Sequence, residues 1–307
     1  MQTQMSFIFL TGDYVYKVKK PVDLGYLDYT TLEKRRFFCH QEVELNRRLS
    51  PDTYLEVASI VRREGQIHIG GKGETIEYAV KMRQLPREQM MDSLLPLNRV
   101  TEDMVVNVAE KLAAFHDKAV TSPEISAYGK LDTITTNTEE NFSQTKKYVG
   151  ISIPSAKYDR IKAYTDSFIK ANRSLFQKRV QEGRIRDCHG DLHAAHICFG
   201  DGIHIYDCIE FNDRFRYGDV ASEVAFLAMD IDHHQRADLS QAFANAYVRL
   251  SQDEDLLQLL DFYKCYRAYV RGKVESFKLD DPYIPEEEKA RNLAAASSYF
   301  ELAESYI

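Results

Sequence analysis

The sequence predicts an α+β fold with two lobes, a small lobe built on an antiparallel sheet and a larger, mainly helical lobe. Short apolar and aromatic runs with the two-residue period of strands fill the first part of the chain, and amphipathic helical patterns fill most of the remainder. We therefore divide the chain into residues 1–85 and residues 86–307. The cleft between two such lobes is the expected place for a ligand.

The sheet lobe is predicted to begin with a hairpin. Phe7–Leu10 and Tyr14–Lys19 have the composition of strands, and a tight turn with Gly12 separates them. Because successive side chains of a strand point to opposite faces, Lys17 and Lys19 are expected on the same face.

Two further strands and one helix complete the predicted sheet lobe. The strands are expected at residues 55–62 and 76–82, and Thr31 is a suitable N-cap for a helix that extends to Leu49. Glu42 falls among apolar residues at helical spacing, so the pattern places a carboxylate on the buried face of this helix. Such a carboxylate needs a cationic partner.

The helical lobe begins with a well-marked helix at residues 101–118. Thr101 is a good N-cap, Glu102 and Asp103 lie in the first turn, and apolar residues recur at helical spacing. The remaining predicted helices cover parts of residues 139–149, 155–183, 219–230, 237–250, 255–277 and 286–306. Only the segment 187–207 interrupts them.

This segment carries the chemistry. Ile197–Phe199 and Ile203–Tyr206 flank a Gly-Asp-Gly turn and predict a short hairpin. Because a hairpin returns its two flanks to the same place, Asp191 and Asp207 are expected to face a common point. Two converging carboxylates suit phosphoryl transfer, since one can orient or deprotonate an attacking hydroxyl while the other holds the magnesium that bridges the nucleotide phosphates.

Two motifs carry a family resemblance. His-Gly-Asp-Leu-His at 189–193, followed by the hairpin and Asp207, resembles the catalytic and metal segments of the aminoglycoside phosphotransferase and choline-kinase-like superfamily, whose fold is similar to that of protein kinases. Tyr-Lys-Val-Lys-Lys-Pro at 16–21 and Asp-Cys-Ile-Glu-Phe-Asn at 207–212 resemble, more specifically, uncharacterised bacterial proteins of the aminoglycoside phosphotransferase family. The resemblance extends from about Phe7 to the last residues and implies a bilobal protein-kinase-like fold.

The resemblance also implies site residues for ATP, Mg²⁺ and a small-molecule substrate with an acceptor hydroxyl. Asp191 is the implied catalytic carboxylate and Asp207 the metal ligand. Lys17 is implied to contact the nucleotide phosphates and to pair with Glu42; Lys19 is an alternative, because it shares the face of Lys17. The adenine edge is expected to meet the backbone near residues 82–86, which makes Met82 and Gln84 candidates for nucleotide binding. Residues 1–85 would then be the nucleotide-binding lobe, and residues 86–307 the catalytic and substrate-binding lobe.

Three histidines surround the predicted carboxylates. His189 and His193 are candidate catalytic residues, although His189 is expected to brace the loop, and His193 either contacts substrate or caps the turn. His196 is a candidate metal ligand at a position where the family usually has asparagine. Imidazole is a softer ligand than an amide oxygen. This replacement is therefore unfavourable for binding a second metal ion, for the use of magnesium, or for catalysis itself.

Two alternatives to a kinase stay open from the sequence. The replacement at His196 is also compatible with a kinase-like protein that binds nucleotide as a regulator without catalysis. The density of imidazoles suggests, less strongly, a metal-dependent hydrolase with zinc or manganese on His189, Asp191, His193 and His196.

The composition argues against several classes of protein. The net charge of −7 does not favour a nucleic-acid partner, because such proteins usually carry a basic surface. The sequence has neither a secretory signal nor an apolar stretch long enough to span a membrane, so we expect a cytoplasmic protein without a membrane partner. The five cysteines form no CxxC pair and are expected to be reduced. Neither the acceptor nor the oligomeric state is indicated.

Overall fold

The computed structural model describes all residues, 1–307. The chain forms two compact units, and we name them by their content. The sheet unit contains residues 1–99 and 189–216, and the helical unit contains residues 100–188 and 217–307. The predicted fold class, α+β with an antiparallel sheet and a mainly helical remainder, is confirmed. The functional division of the chain at residue 85 stays a prediction.

Nine strands and twelve α-helices make up the chain. In chain order they are β1 (Ser6–Leu10), β2 (Tyr14–Lys19), α1 (Leu32–Arg47), β3 (Tyr54–Arg63), β4 (Gln66–Ile69), β5 (Glu74–Arg83), α2 (Met91–Leu94), α3 (Glu102–Lys118), α4 (Pro123–Ser126), α5 (Leu131–Thr145), α6 (Ser155–Ala171), α7 (Arg173–Gln181), β6 (Ile185–Asp187), β7 (Ile197–Phe199), β8 (Ile203–Ile205), α8 (Asp213–Arg216), β9 (Tyr217–Asp219), α9 (Val220–His233), α10 (Ala237–Ser251), α11 (Leu256–Phe277) and α12 (Glu286–Glu304).

The sheet unit is built on a five-stranded antiparallel sheet with the order β1-β2-β5-β3-β4. Its first hairpin is confirmed, with Ile8 opposite Lys17. Helix α1 begins as predicted, since the side chain of Thr31 accepts a hydrogen bond from the backbone N–H of Lys34. Cys39 of α1 belongs to the same buried cluster as Val80 of β5, which fixes the helix against the sheet.

Strand β4 was not predicted. It follows a turn at Gly65, and Ile67 and Ile69 are 67% and 53% exposed. Its only sheet partner is β3, so backbone hydrogen bonds rather than side-chain burial hold this edge strand. The glycine-rich residues 70–73 connect it to β5.

One helix of the helical unit begins earlier than predicted. Helix α5 begins at Leu131, eight residues before residue 139; its first turns are rich in threonine, a weak helix former, so their composition does not indicate a helix. The helical region predicted within residues 155–183 contains α6 and α7, which meet at Asn172, and the side chain of Asn172 donates to the carbonyl of Phe168. No helix combines the length and the apolar composition that crossing a membrane demands.

Asp219 has a structural role in the helical unit. Its Oδ1 accepts the backbone N–H of Ala221 at 2.8 Å, which caps α9. The fully buried Arg179 contacts both of its carboxylate oxygens, with Nε 3.0 Å from Oδ2 and Nη2 2.6 Å from Oδ1. Because Arg179 is buried, this bidentate pair holds Asp219, which caps α9, in the core of the helical unit.

Candidate active site

The residues predicted for chemistry lie on three parts of the sheet unit. β2 supplies two lysines, α1 supplies a glutamate, and the segment around the β7–β8 hairpin supplies the histidines and aspartates. All three parts belong to one compact unit, so their mutual distances define one site.

The β7–β8 hairpin brings the two predicted aspartates to opposite sides of one imidazole. Ile197 pairs with Ile205, so the flanks of the hairpin lie side by side. Nδ1 of His196 is 3.7 Å from Oδ2 of Asp191, and its Nε2 is 3.6 Å from Oδ2 of Asp207. Both predicted carboxylates thus lie beside the same imidazole, and their catalytic and metal-binding roles stay predictions.

A chain of ion pairs joins β2 to α1 and to the segment after β8. Nζ of Lys17 lies 2.9 Å from Oε1 of Glu42 and 2.7 Å from Oδ1 of Asp207. Nζ of Lys19 lies 2.7 Å from Oε2 of the same glutamate and also contacts Oε1 of Glu210. The lysines thus share one face, as the strand period predicts, and Glu42 binds both.

The two lysines differ in burial. The side chain of Lys17 is 15% exposed and that of Lys19 is 1% exposed, while Asp207, which contacts Lys17, is 39% exposed. The accessible end of the ion-pair chain is therefore at Lys17, and the sealed end is at Lys19.

The charges of this chain hold each other ionised. Burial disfavours the charge on Lys17, but the carboxylates of Asp207 and Glu42 outweigh it and raise the pKa of Lys17 well above its ordinary value. Burial likewise opposes ionisation of Glu42, and Lys17 and Lys19 outweigh it, so the pKa of Glu42 is lowered. Both lysines and Glu42 are charged at neutral pH.

Glu210 was missed by the sequence analysis. It is buried, it pairs with Lys19, and its Oε1 accepts the hydroxyl of Tyr29 at 2.7 Å. Two signals were present: its place in the motif at 207–212, and the need of two inward lysines for more than one carboxylate.

His189 braces the loop that carries Asp191. The backbone N–H of Asp191 donates to its Nδ1 at 3.3 Å, so its Nε2 carries the proton and donates to the carbonyl of Tyr206 at 2.9 Å. Both nitrogens of this fully buried imidazole therefore bind backbone groups. These contacts support the expected bracing role, and a direct catalytic role for His189 stays a prediction.

Gly190 is required by the geometry of the same loop. Its φ is +89°, in the left-handed region that favours glycine. A Cβ at this position would lie 2.7 Å from the carbonyl oxygen of Phe215. The backbone beside Asp191 therefore packs more closely than any side chain permits.

His196 is neutral and has a defined tautomer. Its Nδ1 lies 2.8 Å from the backbone carbonyl of Asp191, and because a carbonyl can only accept, Nδ1 carries the proton. Burial and the neighbouring His193 lower the pKa of His196 to about 4, despite the opposing charges of Asp191 and Asp207. The unprotonated Nε2 thus lies on the side of Asp207.

Asp207 adopts a backbone conformation that is uncommon outside glycine. Its φ is +63°, and its N–H donates to the hydroxyl of the buried Tyr54 at 3.1 Å. Burial raises the pKa of this carboxyl, but the charge of Lys17 outweighs burial and lowers the pKa well below its ordinary value. The carboxylate is held ionised in a fixed direction.

Met82 and Gln84 do not join this cluster. Met82 is paired in the sheet with Val15 on one side and Tyr54 on the other, and its side chain lies in the core against α1. The backbone N–H of Gln84 donates to the carbonyl of Asp13 at 2.9 Å. The contact of either residue with a nucleotide stays a prediction.

The side chains that can hold a cation lie together. Asp191, His193 and His196 each offer a ligand atom, and these atoms lie within 4.8 Å of one another. Nε2 of His193 is 3.6 Å from Oδ2 of Asp191, and the two imidazole rings are 4.1 Å apart between centroids. With Asp207, the set offers two carboxylates and two imidazoles, a donor mixture that suits divalent cations.

Comparison with known proteins identifies the family. The family model described as "Phosphotransferase enzyme family" matches residues 38–260. An uncharacterized protein of Mycobacterium tuberculosis is 34% identical over 275 residues, which are 89% of this chain and 54% of that protein. The chain thus spans about half the length of the curated relatives it matches.

Solved structures of kinases have a similar fold. The GDP complex of wild-type aminoglycoside 2′-phosphotransferase-IIIa has a TM-score of 0.55 at 14% identity, and the match covers 98% of this chain and 91% of that one. A microcompartment-associated aminopropanol kinase has a TM-score of 0.52 at 12% identity, with 98% and 92% covered. At such low identity these likenesses concern the fold alone. Since the family model matches most of the chain, including the segment with both aspartates, this protein belongs to the phosphotransferase enzyme family.

Proposed function

We propose that the protein transfers the terminal phosphoryl group of ATP, with a divalent cation, to a hydroxyl group of a small molecule. The observation that carries the proposal is the placement of Asp191 and Asp207 on the two sides of His196, with Lys17 bound to Asp207. Membership of the phosphotransferase family supports the reaction class. The substrates named for the structural neighbours do not transfer, because fold similarity does not determine the acceptor.

The charge balance supports a cation at this site. Four carboxylates, on Glu42, Asp191, Asp207 and Glu210, accompany the two ammonium groups of Lys17 and Lys19, and His196 adds no charge because it is neutral at pH 7. Within this group two negative charges are in excess, which a divalent cation matches. The carboxylates fit Mg²⁺ well, whereas the imidazoles are less suitable ligands for that ion.

Each side chain has a defined task in the proposed reaction. Asp191 orients the acceptor hydroxyl and accepts its proton, while Oδ2 of Asp207 holds the cation, which neutralises phosphate charge when bound. Lys17 donates to the phosphate oxygens, and Glu42 fixes its position. Lys19 has no contact with reactants in this scheme, because it is sealed between Glu42 and Glu210.

The test is phosphoryl transfer from γ-labelled ATP to a pool of cellular metabolites. Asp191→Asn removes the proposed proton acceptor, and we expect turnover to fall by roughly 100-fold or more. Asp201→Asn is the matched control, since it changes a carboxylate at the exposed turn of the same hairpin. Equal turnover of the wild type and Asp191→Asn would contradict the proposal.

Binding of ATP, measured by thermal shift, separates the regulatory alternative from the kinase. A regulator is stabilised by ATP with a divalent cation but transfers no phosphate to any component of the pool. A kinase is stabilised by ATP and also transfers phosphate. Its Asp191→Asn variant loses the transfer and keeps the stabilisation.

A further inference from the structure

The donor atoms around His196 differ from those of a typical magnesium site. Mg²⁺ prefers oxygen ligands in octahedral geometry, and an imidazole nitrogen suits Mn²⁺, Co²⁺ or Zn²⁺ better. Here two imidazoles lie among two carboxylates, and the ligand atoms of Asp191, His193 and His196 are within 4.8 Å of one another. Two histidines and one carboxylate are a set that transition metals commonly use in proteins.

Two possible ligand atoms face each other in this cluster. Nδ1 of His196 donates to the carbonyl of Asp191, so Nε2 is the ring nitrogen left to bind a cation, and it lies 3.6 Å from Oδ2 of Asp207. The other oxygen of Asp207 is bound by Lys17, which leaves Oδ2 as the oxygen turned to the imidazole. A cation between these two atoms would be attracted to the carboxylate and could bond to the imidazole nitrogen.

The protein fixes both donor atoms in place. The hydrogen bond of Nδ1 sets the ring orientation of His196, as an outer partner does in metal sites. Asp207 is held by Lys17 and by the contact of its N–H with Tyr54. A cation at about 2 Å from each donor fits the separation of 3.6 Å.

We infer that this site binds Mn²⁺ or Co²⁺ in preference to Mg²⁺, through a direct bond to Nε2 of His196. The inference deepens the proposed function, since it names the cation of the same site and rests on the assignment of Asp207 as a metal ligand. The ligand atoms of Asp191 and His193 lie within 4.8 Å of that of His196, and Oδ2 of Asp207 lies 3.6 Å from Nε2. At this position the asparagine typical of the resembling family would offer an oxygen instead of a nitrogen.

The experiment measures metal binding by the chelator-treated full chain without nucleotide. Mn²⁺ binding is followed by electron paramagnetic resonance, Co²⁺ by its visible absorption, and Mg²⁺ by competition with Mn²⁺. We expect His196→Asn to lower the ratio of Mn²⁺ to Mg²⁺ affinity by roughly tenfold or more and to remove the absorption of nitrogen-bound Co²⁺. Asn can still donate to the carbonyl of Asp191, which favours retention of the fold.

Two further variants separate ligand chemistry from damage to the site. Asp207→Asn removes a carboxylate and should weaken Mn²⁺ and Mg²⁺ alike, so their affinity ratio changes little. His40→Asn, at an exposed position of α1, controls for the loss of a histidine. If His196→Asn does not fold, His193→Gln provides the second test, with a smaller decrease of the same ratio expected.

The outcomes are distinct from those of the phosphoryl-transfer assay. An unchanged Mn²⁺/Mg²⁺ ratio in folded His196→Asn, or in His193→Gln if that variant alone folds, would overturn the metal inference even in an active kinase. Equal affinities of the wild type for Mg²⁺ and Mn²⁺ would also overturn the metal inference. A protein that binds Co²⁺ through nitrogen but transfers no phosphate would retain this inference and refute the proposed function.

Discussion

The ammonium group of Lys17 lies 2.7 Å from Oδ1 of Asp207, although 190 residues separate them in the chain. The same ammonium contacts Glu42, so one lysine joins α1 to the residue that follows β8. Lys19 occupies the equivalent place one strand period further on, between Glu42 and Glu210. The two lysines are alike in sequence context and differ in access to solvent, which gives them separable roles.

Replacement of each lysine by alanine should separate activity from stability. Lys17→Ala leaves Glu42 paired with Lys19, so we expect a folded protein with at least tenfold weaker ATP binding. Lys19→Ala leaves two buried carboxylates without this partner, and we expect a loss of about 3–5 kcal/mol in the free energy of unfolding. Denaturant titration and ATP titration of both variants measure the two effects. A Lys19→Ala protein as stable as Lys17→Ala would contradict this assignment.

Glu210 and Lys19 should show strong energetic coupling. Lys19→Met leaves the buried Glu210 without its cationic partner, and Glu210→Leu leaves Lys19 with Glu42 alone, whereas the double variant removes both charges. We expect the double variant to be more stable than the sum of the single losses predicts, by about 2 kcal/mol. The exposed pair Lys162 and Asp166 on α6 provides the control cycle, with a coupling of about 0.5 kcal/mol or less. Coupling of the same size in both cycles would refute the buried pair as a structural unit.

The difference between Asp207 and Glu210 explains what the sequence could predict about this site. Asp207 was found because a local pattern, two apolar runs around Gly-Asp-Gly, fixes a hairpin and thereby the position of its flanks. Glu210 follows no such pattern; its burial depends on Lys19, which lies 191 positions away, and on the hydroxyl of Tyr29. Contacts at this range are decided by tertiary packing, which no periodicity in a single sequence encodes.

The same distinction applies to the fold. The first hairpin and α1 were predicted closely, since a strand period, a glycine turn and an N-cap act within a few residues. Strand β4 and the early start of α5 were missed, because exposed isoleucines and threonines do not mark an edge strand or a helix clearly. The membership of residues 189–216 in the sheet unit likewise follows from long-range contacts and not from chain order.

Gly190 should not tolerate a side chain. Gly190→Ala adds a Cβ 2.7 Å from the carbonyl oxygen of Phe215 and also carries the cost of a positive φ. Gly150 has a similar φ of +85°, and a Cβ added there would meet nothing within 4 Å, so Gly150→Ala carries the backbone cost alone. We expect a loss of about 1 kcal/mol in the free energy of unfolding for Gly150→Ala and about 2 kcal/mol more for Gly190→Ala.

The same pair of variants tests the link between the loop and the site. Gly190→Ala displaces the backbone beside Asp191 and should lower phosphoryl transfer more than its stability loss explains. Thermal unfolding and the transfer assay at a temperature where both variants are folded measure the two quantities. Equal stability losses at the two glycines would show that the loop relaxes without cost.

The buried imidazole of His196 should make stability depend on pH. Its pKa is lowered to about 4 in the folded protein by burial and by His193, whereas a histidine in the unfolded chain titrates near 6.5. Between these values the unfolded chain binds the additional proton, so the free energy of unfolding falls as the pH is lowered from about 6.5 towards 4. For the metal-free protein we expect this residue to contribute a loss of about 2 kcal/mol between pH 7 and pH 4.5.

Denaturant titration of the wild type and His196→Asn at both pH values isolates the contribution, because other titrating groups are common to both proteins. His40→Asn controls for the removal of a histidine, and identical pH dependence of the wild type and His196→Asn would mean that the imidazole binds its proton equally well in both states.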